Sequence, residues 1–469
     1  MTFHSFFASV GLLFSLVILA GCPQPKELPP VTLQPLSVVV LDDPSLAEAI
    51  RRELSARLDR EAQVESLASV DLMAQSALRH DVVIYPPRMM GEFIARGWID
   101  PLPPAARDDE DLDMADVFTA IRQQEIRWGN QVYAVPFGSP VPVLIVREDL
   151  LEQLDLEIPT TWQAYAACVE AIQASGLLMQ EGTTLKSATL EPTADESLPA
   201  LLFARAASYV KHTDNLSLSL DLASGKSLLA TNGFVRAAEQ MQAMIETMPA
   251  THRGLSPGEV AGAVLRGDSV MGIGWIDATT GGSQSNLPLK FAPLPGSAEI
   301  YDVANDRWEP LEGAAHRIPL ISAAGMVGSV SSLSGQTIEA AEILALLAGR
   351  ELTPLISPRG THTTLYRSSS VPATEAWVGD QLPRSLAAEY GQVVQAELQS
   401  SRVVAPLRIP GQAEYHAALV SGLRKLRDDQ QEPLATLAEV AEAWDEITMA
   451  RGLETQRAAY LASMGISDR

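Results

Sequence analysis

Short apolar runs alternate with amphipathic stretches along the first part of the chain that follows the N-terminal segment. Leu36–Leu41 (LSVVVL) and residues 81–85 (DVVIY) are continuous apolar runs rich in Val, which is typical of strands buried on both faces. Residues 46–58 between them carry apolar side chains at helical spacing, and residues 42–45 (DDPS) can cap a helix there. This alternation predicts an α/β fold in which helices cover a parallel sheet.

Further along, the acidic run of residues 108–116 (DDEDLDMAD) is the densest group of like charges. It lacks the Gly and the later Glu of an EF-hand calcium loop, and negative charge is favourable at the start of a helix. We therefore predict a helix over residues 113–127. Residues 141–147 (VPVLIVR) predict the next buried strand.

The N-terminus has the pattern of an export signal. Residues 5–21 (SFFASVGLLFSLVILAG) carry no charge, but this run is shorter than the about 20 apolar residues of a spanning helix. It ends in Leu19-Ala20-Gly21-Cys22, which resembles the lipidation box of bacterial lipoproteins, and a Pro-rich stretch follows. We predict a signal peptide over residues 1–21, a lipid anchor on Cys22 and a tether over residues 22–35. The alternatives are a plain signal peptide and a membrane anchor.

Composition excludes several classes of protein. The 469 residues are 46% hydrophobic, which argues against disorder, and 34 Lys and Arg face 58 Asp and Glu, a net charge of −24. Nucleic acid is therefore not an expected partner, because phosphate binding requires clustered positive charge. With only Cys22 and Cys168, no disulfide framework and no cysteine-based zinc site are predicted. Cys168 is predicted to be a small buried hydrophobic residue.

The sequence contains no complete motif of a serine hydrolase or a zinc hydrolase. Gly254-Leu255-Ser256-Pro257-Gly258 has the spacing of a hydrolase nucleophile elbow, but Pro257 lacks the N–H that an oxyanion hole needs. The seven His residues give no zinc-hydrolase motif, and His362 and His416 are predicted to lie on the surface. We expect no enzyme activity, no metal and no cofactor.

The order of several short segments carries a resemblance that spans nearly the whole chain after the tether. Each combines an apolar run with a turn, and they are Asp81-Val82-Val83, Gly97-Trp98-Ile99-Asp100-Pro101-Leu102, Gly129 with Tyr133-Ala134-Val135-Pro136, Pro159-Thr160-Thr161-Trp162, Val270-Met271-Gly272-Ile273-Gly274-Trp275, Ala292-Pro293-Leu294-Pro295-Gly296 and Ile338-Glu339-Ala340-Ala341. In order and spacing they resemble the family 1 extracellular solute-binding proteins of ABC importers, which include maltose- and oligosaccharide-binding proteins.

The resemblance implies a two-lobed periplasmic-binding-protein fold of type II, whose hinge the chain crosses more than once. Lobe 1 would contain residues 36–138 and 290–330, and lobe 2 residues 141–288 and 335–469 with the C-terminal helices. Residues 138–142 and 291–295 are the predicted crossings, since Pro and Gly interrupt the strands there. Residues 350–412 fit the family least and are predicted to be a local addition.

Ligands of open α/β sheets bind beyond the carboxyl ends of the strands. The predicted ligand-binding residues are those just past predicted strands: Asp42, Asp43, Tyr85, Phe137, Ser139, Trp275 and Asp277. Trp275 is the leading candidate, because the family resemblance implies a Trp here that stacks on the ligand. The alternative role of Trp275 is core packing, and that of Asp43 is to cap the following helix.

We therefore expect an exported, lipid-anchored monomer at a membrane surface that captures a small solute and delivers it to an ABC-type permease. A carbohydrate is the expected solute by analogy with the family and from Trp275. The same fold also binds sugar phosphates and polyamines, so the residues leave the ligand open. The alternative function is a ligand sensor that reports to a membrane receptor.

Overall fold

The computed structural model describes residues 34–466 of the chain, except for 181, 183, 213–216 and 282–286. The predicted signal peptide, Cys22 and the tether up to residue 33 lie outside the described residues. Of Ala105 and Asp380 it describes the backbone. Leu36–Arg469 form one compact unit that is built on two main β-sheets.

The strands of the described residues are short, and those of the two main sheets are mostly apolar. They are β1 (Leu36–Leu41), β2 (Ala62–Leu67), β3 (Val82–Tyr85), β4 (Arg127–Trp128), β5 (Gln131–Val132), β6 (Val135–Gly138), β7 (Val143–Arg147), β8 (Ser187–Leu190), β9 (Ser269–Gly274), β10 (Leu289–Pro293), β11 (Glu299–Asp302), β12 (Arg307–Pro310) and β13 (Met326–Val330). β1 and β3 coincide with the two apolar runs near the start of the chain, which confirms the prediction of these strands.

Seven of the sixteen helices in the described part of the chain begin with a side-chain cap or a proline in their first positions. The sixteen helices are α1 (Pro44–Arg57), α2 (Ser69–Met73), α3 (Met90–Ala95), α4 (Pro104–Arg107), α5 (Glu148–Gln153), α6 (Trp162–Ala174), α7 (Leu198–Val210), α8 (Asn232–Thr247), α9 (Pro257–Arg266), α10 (Thr337–Ala348), α11 (Thr353–Ile356), α12 (Thr374–Val378), α13 (Arg384–Leu398), α14 (Gln412–Asp428), α15 (Pro433–Arg451) and α16 (Leu453–Ser463). The Asp43 carboxylate accepts a hydrogen bond from the Leu46 amide (2.9 Å) and caps α1.

The first sheet has the strand order β2-β1-β3-β13-β6. β1 runs parallel to β2 and β3, whereas β13 runs antiparallel to β3 and β6. α1 packs beside β2 and α10 packs against β13, so that the apolar side chains of sheet and helices share one core. The parallel arrangement that the sequence predicts is therefore found for the first three strands, and two antiparallel pairings complete a mixed sheet.

The second sheet has the strand order β10-β7-β9-β8. β7 runs antiparallel to both neighbours, and β8 runs parallel to β9. α9 packs against β9 and α13 against β10. Cys168 lies in the core of this sheet, 5% exposed, and burial raises the pKa of its thiol to about 11. The prediction that Cys168 is a buried hydrophobic residue is confirmed.

The chain passes from the first sheet to the second through residues 138–142, which join β6 to β7. Gly138 has φ +112°, and a Cβ there would approach the Thr364 carbonyl oxygen to 2.2 Å, so the crossing requires glycine. The predicted return at residues 291–295 is wrong, because β10 pairs with β7 and the β11–β12 hairpin packs on α7. The return is made by residues 322–325, which lead into β13.

Helix α10 lies on the first sheet, so the predicted assignment of all residues after 335 to the second lobe does not hold for it. α11 follows it and packs against α1. α14 and α15 pack on each other. α14 also contacts α7 and α8, and α15 contacts α8. Among the described residues, no helix combines the length and the apolar character needed to cross a membrane.

The predicted helix over residues 113–127 is also wrong. Asp113 has a left-handed φ of +35°, and only residues 119–125 are helical, with a short π-helix over Ile121–Glu125. The Phe118 amide donates to the Tyr366 carbonyl (3.0 Å) instead of continuing a helix. Arg367, which is 254 residues from Asp113 in the sequence, donates to the Asp113 carbonyl (3.2 Å). These distant partners override the local pattern of charge and hydrophobicity.

Candidate functional site

A cavity of about 430 Å³ lies where strands of both sheets end. Asp42 follows β1, Arg88 lies just past β3, and Trp275 follows β9 directly, and all three line the cavity. Residues 322–325 of the return crossing line it as well. The position beyond the strand ends is where α/β proteins bind ligands, and small-molecule sites typically have volumes of roughly 300–1,000 Å³. This cavity is therefore the candidate binding site.

The first sheet contributes a charged wall made of Asp42 and Arg88. The Asp42 backbone is left-handed (φ +57°), and the Ser69 amide donates to Asp42 Oδ1 (2.8 Å), which fixes the carboxylate. Arg88 is half-buried; burial lowers the pKa of its guanidinium, and the nearby Asp42 carboxylate opposes that shift. Within the described part of the chain no group accepts a hydrogen bond from Arg88. The wall thus presents unused N–H donors beside a carboxylate.

The second sheet contributes Trp275, whose indole is held in place by Asp277. Trp275 Nε1 donates to Asp277 Oδ2 (2.8 Å). The other oxygen, Oδ1, accepts from the Thr279 amide (2.7 Å) and the Thr279 hydroxyl (2.6 Å). The carboxylate is therefore occupied by protein donors, and its effect is to orient the indole. A fixed indole offers a flat apolar surface at a low cost in conformational entropy.

Helices near the C-terminus add further aromatic side chains. Tyr415 of α14 and Trp444 of α15 line the cavity and pack edge to face, with ring centroids 5.3 Å apart and an interplanar angle of 83°. Trp444 Nε1 donates to the Tyr415 carbonyl (2.9 Å), and the Tyr415 hydroxyl is hydrogen-bonded to Thr448 Oγ1 (2.9 Å). Phe203 of α7 lies in the same wall. These rings have satisfied polar groups, so they present apolar surface to the cavity.

His416 and Gln412, both on α14, bring neutral polar groups to the cavity. Burial lowers the pKa of His416 to about 4; the Arg88 charge acts in the same direction, and Glu196 opposes it. The imidazole is therefore neutral at pH 7 and can both donate and accept a hydrogen bond. Gln412 is 8% exposed and adds an amide.

Three of the seven predicted ligand-binding residues, Asp42, Trp275 and Asp277, line this cavity. Asp43 does not: it is buried, and besides capping α1 it accepts a hydrogen bond from the Thr361 amide (2.7 Å). The structure therefore shows the alternative role of Asp43, which is to cap the following helix.

Tyr85, Phe137 and Ser139 also lie away from the cavity surface. The Tyr85 hydroxyl is hydrogen-bonded to Ser329 (2.9 Å) inside the first sheet, and Phe137 is fully buried in the core beneath that sheet. Ser139 Oγ donates to the Ala324 carbonyl (3.0 Å) and ties the two crossings together. We therefore leave these three residues, with Asp43, out of the proposed site.

Several cavity residues do not follow from the sequence pattern. Arg88 lies after Pro86-Pro87, just past the end of β3, so the strand-end rule extended by three residues would have included it. The prediction that His362 and His416 lie on the surface is wrong, because both line the cavity. His416 and Trp444 lie within amphipathic helices, where no local signal separates a cavity face from a core face.

The serine motif has a structural role. Ser256 caps α9: its side chain accepts from the Glu259 amide, and the Glu259 carboxylate accepts from the Ser256 amide (2.8 Å), which forms a capping box. Pro257 is the first residue of α9, so no strand-to-helix elbow exists there. Among the residues that the structure describes, no group of three His, Cys, Asp or Glu side chains is arranged to hold a metal ion.

Comparison with known proteins identifies the family and the fold of this chain. The family described as bacterial extracellular solute-binding protein matches residues 62–304, which is more than half of the chain. A solute-binding protein of an ABC transporter from Agrobacterium radiobacter K84, solved with ribitol, is similar in structure, with a TM-score of 0.65 and 17% identity over 88% of this chain and 100% of that one.

Two further structures show the same likeness. Maltose-bound MalE3 of T. maritima has a TM-score of 0.63 and 14% identity, over 88% of this chain and 100% of that one. The sugar-binding protein MalE of Xanthomonas citri has a TM-score of 0.64 and 16% identity, over 89% of this chain and 98% of that one. At these identities the likeness establishes the fold, which is the two-lobed periplasmic-binding-protein fold. By its sequence match and this fold, the chain belongs to the bacterial extracellular solute-binding proteins.

Proposed function

We propose that this protein captures a carbohydrate in the cavity between its lobes and delivers it to an ABC-type permease. The observation that carries the proposal is the fixed Trp275 indole in the same cavity as the Asp42–Arg88 pair. A sugar ring has an apolar C–H face and a rim of hydroxyl groups. The indole can stack on the C–H face of the ring. The carboxylate can accept hydrogen bonds from the ring hydroxyls, and the guanidinium can donate hydrogen bonds to them.

Each residue has a defined role in this proposal. Trp275 stacks on a sugar ring, and Asp277 acts through Trp275 by orienting it. Asp42 accepts hydrogen bonds from ligand hydroxyls, and Arg88 donates its unused N–H groups to ligand oxygens. His416 is neutral at pH 7 and contributes either a donor or an acceptor.

Because Asp42 and Arg88 belong to the first lobe and Trp275 to the second, one ligand contacts both lobes in the closed form. Such a ligand shifts the population toward closure by its preference for that form. The permease then recognises the closed lobes and receives the solute unchanged. Similar structures solved with ribitol and maltose support a sugar as the solute.

Calorimetric titration with a panel of neutral mono- and oligosaccharides, polyamines and sugar phosphates tests the capture step. We expect a sugar to bind, and Trp275→Ala to weaken its binding by at least tenfold, or about 1.4 kcal/mol. Trp308→Ala is the matched control, since Trp308 lies on β12 outside the cavity. Binding of a polyamine alone, or an unchanged Kd in Trp275→Ala, would contradict the proposal.

Deletion of the gene in the organism of origin tests delivery. We expect uptake of the sugar identified by titration to be lost, whereas continued uptake with loss of a response to the sugar would favour the sensor alternative. Recovery of the sugar chemically unchanged after incubation tests that the protein performs no reaction on it.

The lipid anchor and the monomeric state are further parts of the proposal. We expect mass spectrometry of the protein from cells to find an acylated Cys22 at the mature N-terminus. Cys22→Ser then releases the protein from membranes. Sedimentation of the purified protein is expected to give the mass of one chain.

A further inference from the structure

A second cavity, of about 260 Å³, lies next to the first. Most of its lining comes from residues 358–390, within the part of the chain that resembles the family least. The remaining lining residues are 276–278, directly after β9. The addition predicted from the sequence thus builds a cavity against the segment that carries Trp275.

The two cavities lie on opposite sides of the same two chain segments. In residues 275–279, Trp275 and Thr279 line the first cavity, and Ile276 and Ala278 line the second. In residues 360–364, Thr361 and His362 line the first cavity, and the other three residues line the second. Only Asp277 is common to both linings among the described residues. The segments therefore form a wall one chain thick.

Hydroxyl groups that are already committed as donors line the second cavity. Thr363 Oγ1 donates to the Ser357 carbonyl, and Thr374 Oγ1 donates to the Val371 carbonyl (2.6 Å). Thr363 is 5% exposed and Thr374 is 1% exposed. Because their protons are used within the protein, these hydroxyl oxygens can serve an occupant of the cavity only as acceptors.

Gln381 adds an open acceptor to this set. Its Nε2 donates to the Asp277 carbonyl (3.0 Å), while its Oε1 is covered from solvent and has no hydrogen-bond partner. A buried acceptor without a partner is unfavourable and favours an occupant that brings a donor. The Asp277 carboxylate is used by Trp275 and Thr279, so it supplies no free charge to this cavity.

Trp377 contributes an aromatic surface to the second cavity. Its ring packs edge to face on Tyr366, with centroids 6.4 Å apart and an interplanar angle of 90°. The described lining thus combines an aromatic ring, several acceptors and no unpaired charge. Hydroxyl groups on a compact uncharged skeleton match that combination, because they donate to these acceptors and can exchange hydrogen bonds with the Tyr390 and Thr364 hydroxyls of the lining. A carboxylate or phosphate would bring a charge that no Lys or Arg of the described lining balances.

We propose that the second cavity is a separate binding site for a small neutral polyol, distinct from the solute site between the lobes. An occupant donates to Gln381 Oε1 and to the Thr363 and Thr374 hydroxyl oxygens. Gln381 also holds the Asp277 backbone, and the Asp277 side chain holds Trp275. The occupant therefore stabilises the segment that carries Trp275, from the side of that segment opposite the first cavity.

Nuclear magnetic resonance of the Trp indole groups tests this proposal. Glycerol, erythritol and ribitol are titrated into the purified protein, and the Trp377 signal is identified by its loss in Trp377→Phe. We expect a saturable shift of the Trp377 signal that persists in Trp275→Ala, where the first cavity is impaired. Glycerate, as a charged polyol of similar size, is expected to cause no saturable shift.

The variant Gln381→Met removes the open acceptor and keeps the length of the side chain. We expect it to raise the Kd reported by Trp377 by at least tenfold, and Thr374→Val to act in the same direction. Gln392→Met, on the exposed face of α13, is the control and should leave that Kd unchanged. A shift that grows linearly with polyol, or the same Kd in Gln381→Met, would mean that the cavity holds water only. Loss of the Trp377 response in Trp275→Ala would show one continuous site instead of two.

Discussion

Replacing Asp277 by Asn tests whether this residue acts through Trp275 or touches the ligand itself. The carboxylate accepts three hydrogen bonds, one from the Trp275 indole and two from Thr279. An amide side chain keeps one oxygen, and that oxygen can satisfy both donors of Thr279. Its NH₂ group then faces the indole N–H, and two donors cannot bond. We therefore expect Asp277→Asn to release the indole.

The magnitudes follow from the lost hydrogen bond. A hydrogen bond to a charged group contributes about 1.5–3 kcal/mol, so the free energy of unfolding should fall by about that amount in urea denaturation. Ligand binding must then immobilise a mobile indole, at a cost of about 0.5–1.5 kcal/mol. The Kd for the sugar should therefore rise by roughly 2- to 10-fold. Asp59→Asn, in an exposed loop, is the control for loss of one negative charge.

A double-mutant cycle, measured by calorimetric titration, gives the decisive result. If Asp277 acts only through Trp275, Asp277→Asn has no further effect on the Kd once Trp275 is Ala. An equal rise of the Kd in both backgrounds would refute this reasoning and show that the Asp277 carboxylate contacts the ligand directly. The indole signal of Trp275 in the single variant reports independently whether the hydrogen bond is lost.

Three other predictions concern residues around the cavity. Arg88→Met and Asp42→Asn should both weaken binding of a neutral sugar in calorimetry, by about tenfold each; an acidic sugar would instead bind more tightly to Asp42→Asn, because a repulsive charge is removed. Asp43→Ala removes a helix cap and leaves the Thr361 amide unpaired, so urea denaturation should show a loss of about 1–3 kcal/mol. An unchanged stability would contradict the capping role. The His416 pKa of about 4 lies below the ordinary value of about 6.5, so the unfolded chain takes up the proton first, and stability falls as the pH drops from about 6.5 to about 4. His416→Gln should flatten that part of the stability profile measured against pH, and an identical slope in the variant would refute the assignment.

The elements that the sequence predicts correctly are those whose own residues carry a clear pattern of apolar runs or capping groups. β1, α1 and β3 each lie where such a pattern occurs, and the Asp43 cap reaches only three residues ahead. Residues 113–127 fail as a helix because their partners, among them Arg367, come from a distant part of the chain. The location of β13 in the first sheet depends on the same kind of long-range pairing, which no pattern of hydrophobicity encodes.

The residues of the candidate site also differ in whether a local pattern or the packing of the fold determines their position. Asp42 and Trp275 are predictable because both come directly after a strand, and the end of a strand is a local feature. Asp42 and Asp43 cannot be told apart in the sequence, since the distinction depends on the backbone: φ is +57° at Asp42, and the next carboxylate turns inward onto α1. Tyr85 is also at a strand end, but its hydroxyl finds Ser329 within the sheet. Cavity residues on α14 and α15 depend on how those helices pack.

The position of β13 between β3 and β6 also bears on when the protein can fold. Tyr85 and Ser329, joined by a hydrogen bond within the first sheet, are 244 residues apart in the sequence. Until the ribosome has synthesised β13, the neighbouring strands have open edges, and closing so long a loop is slow. The order of strands thus delays completion of the first sheet until about residue 330 of the 469 has been synthesised.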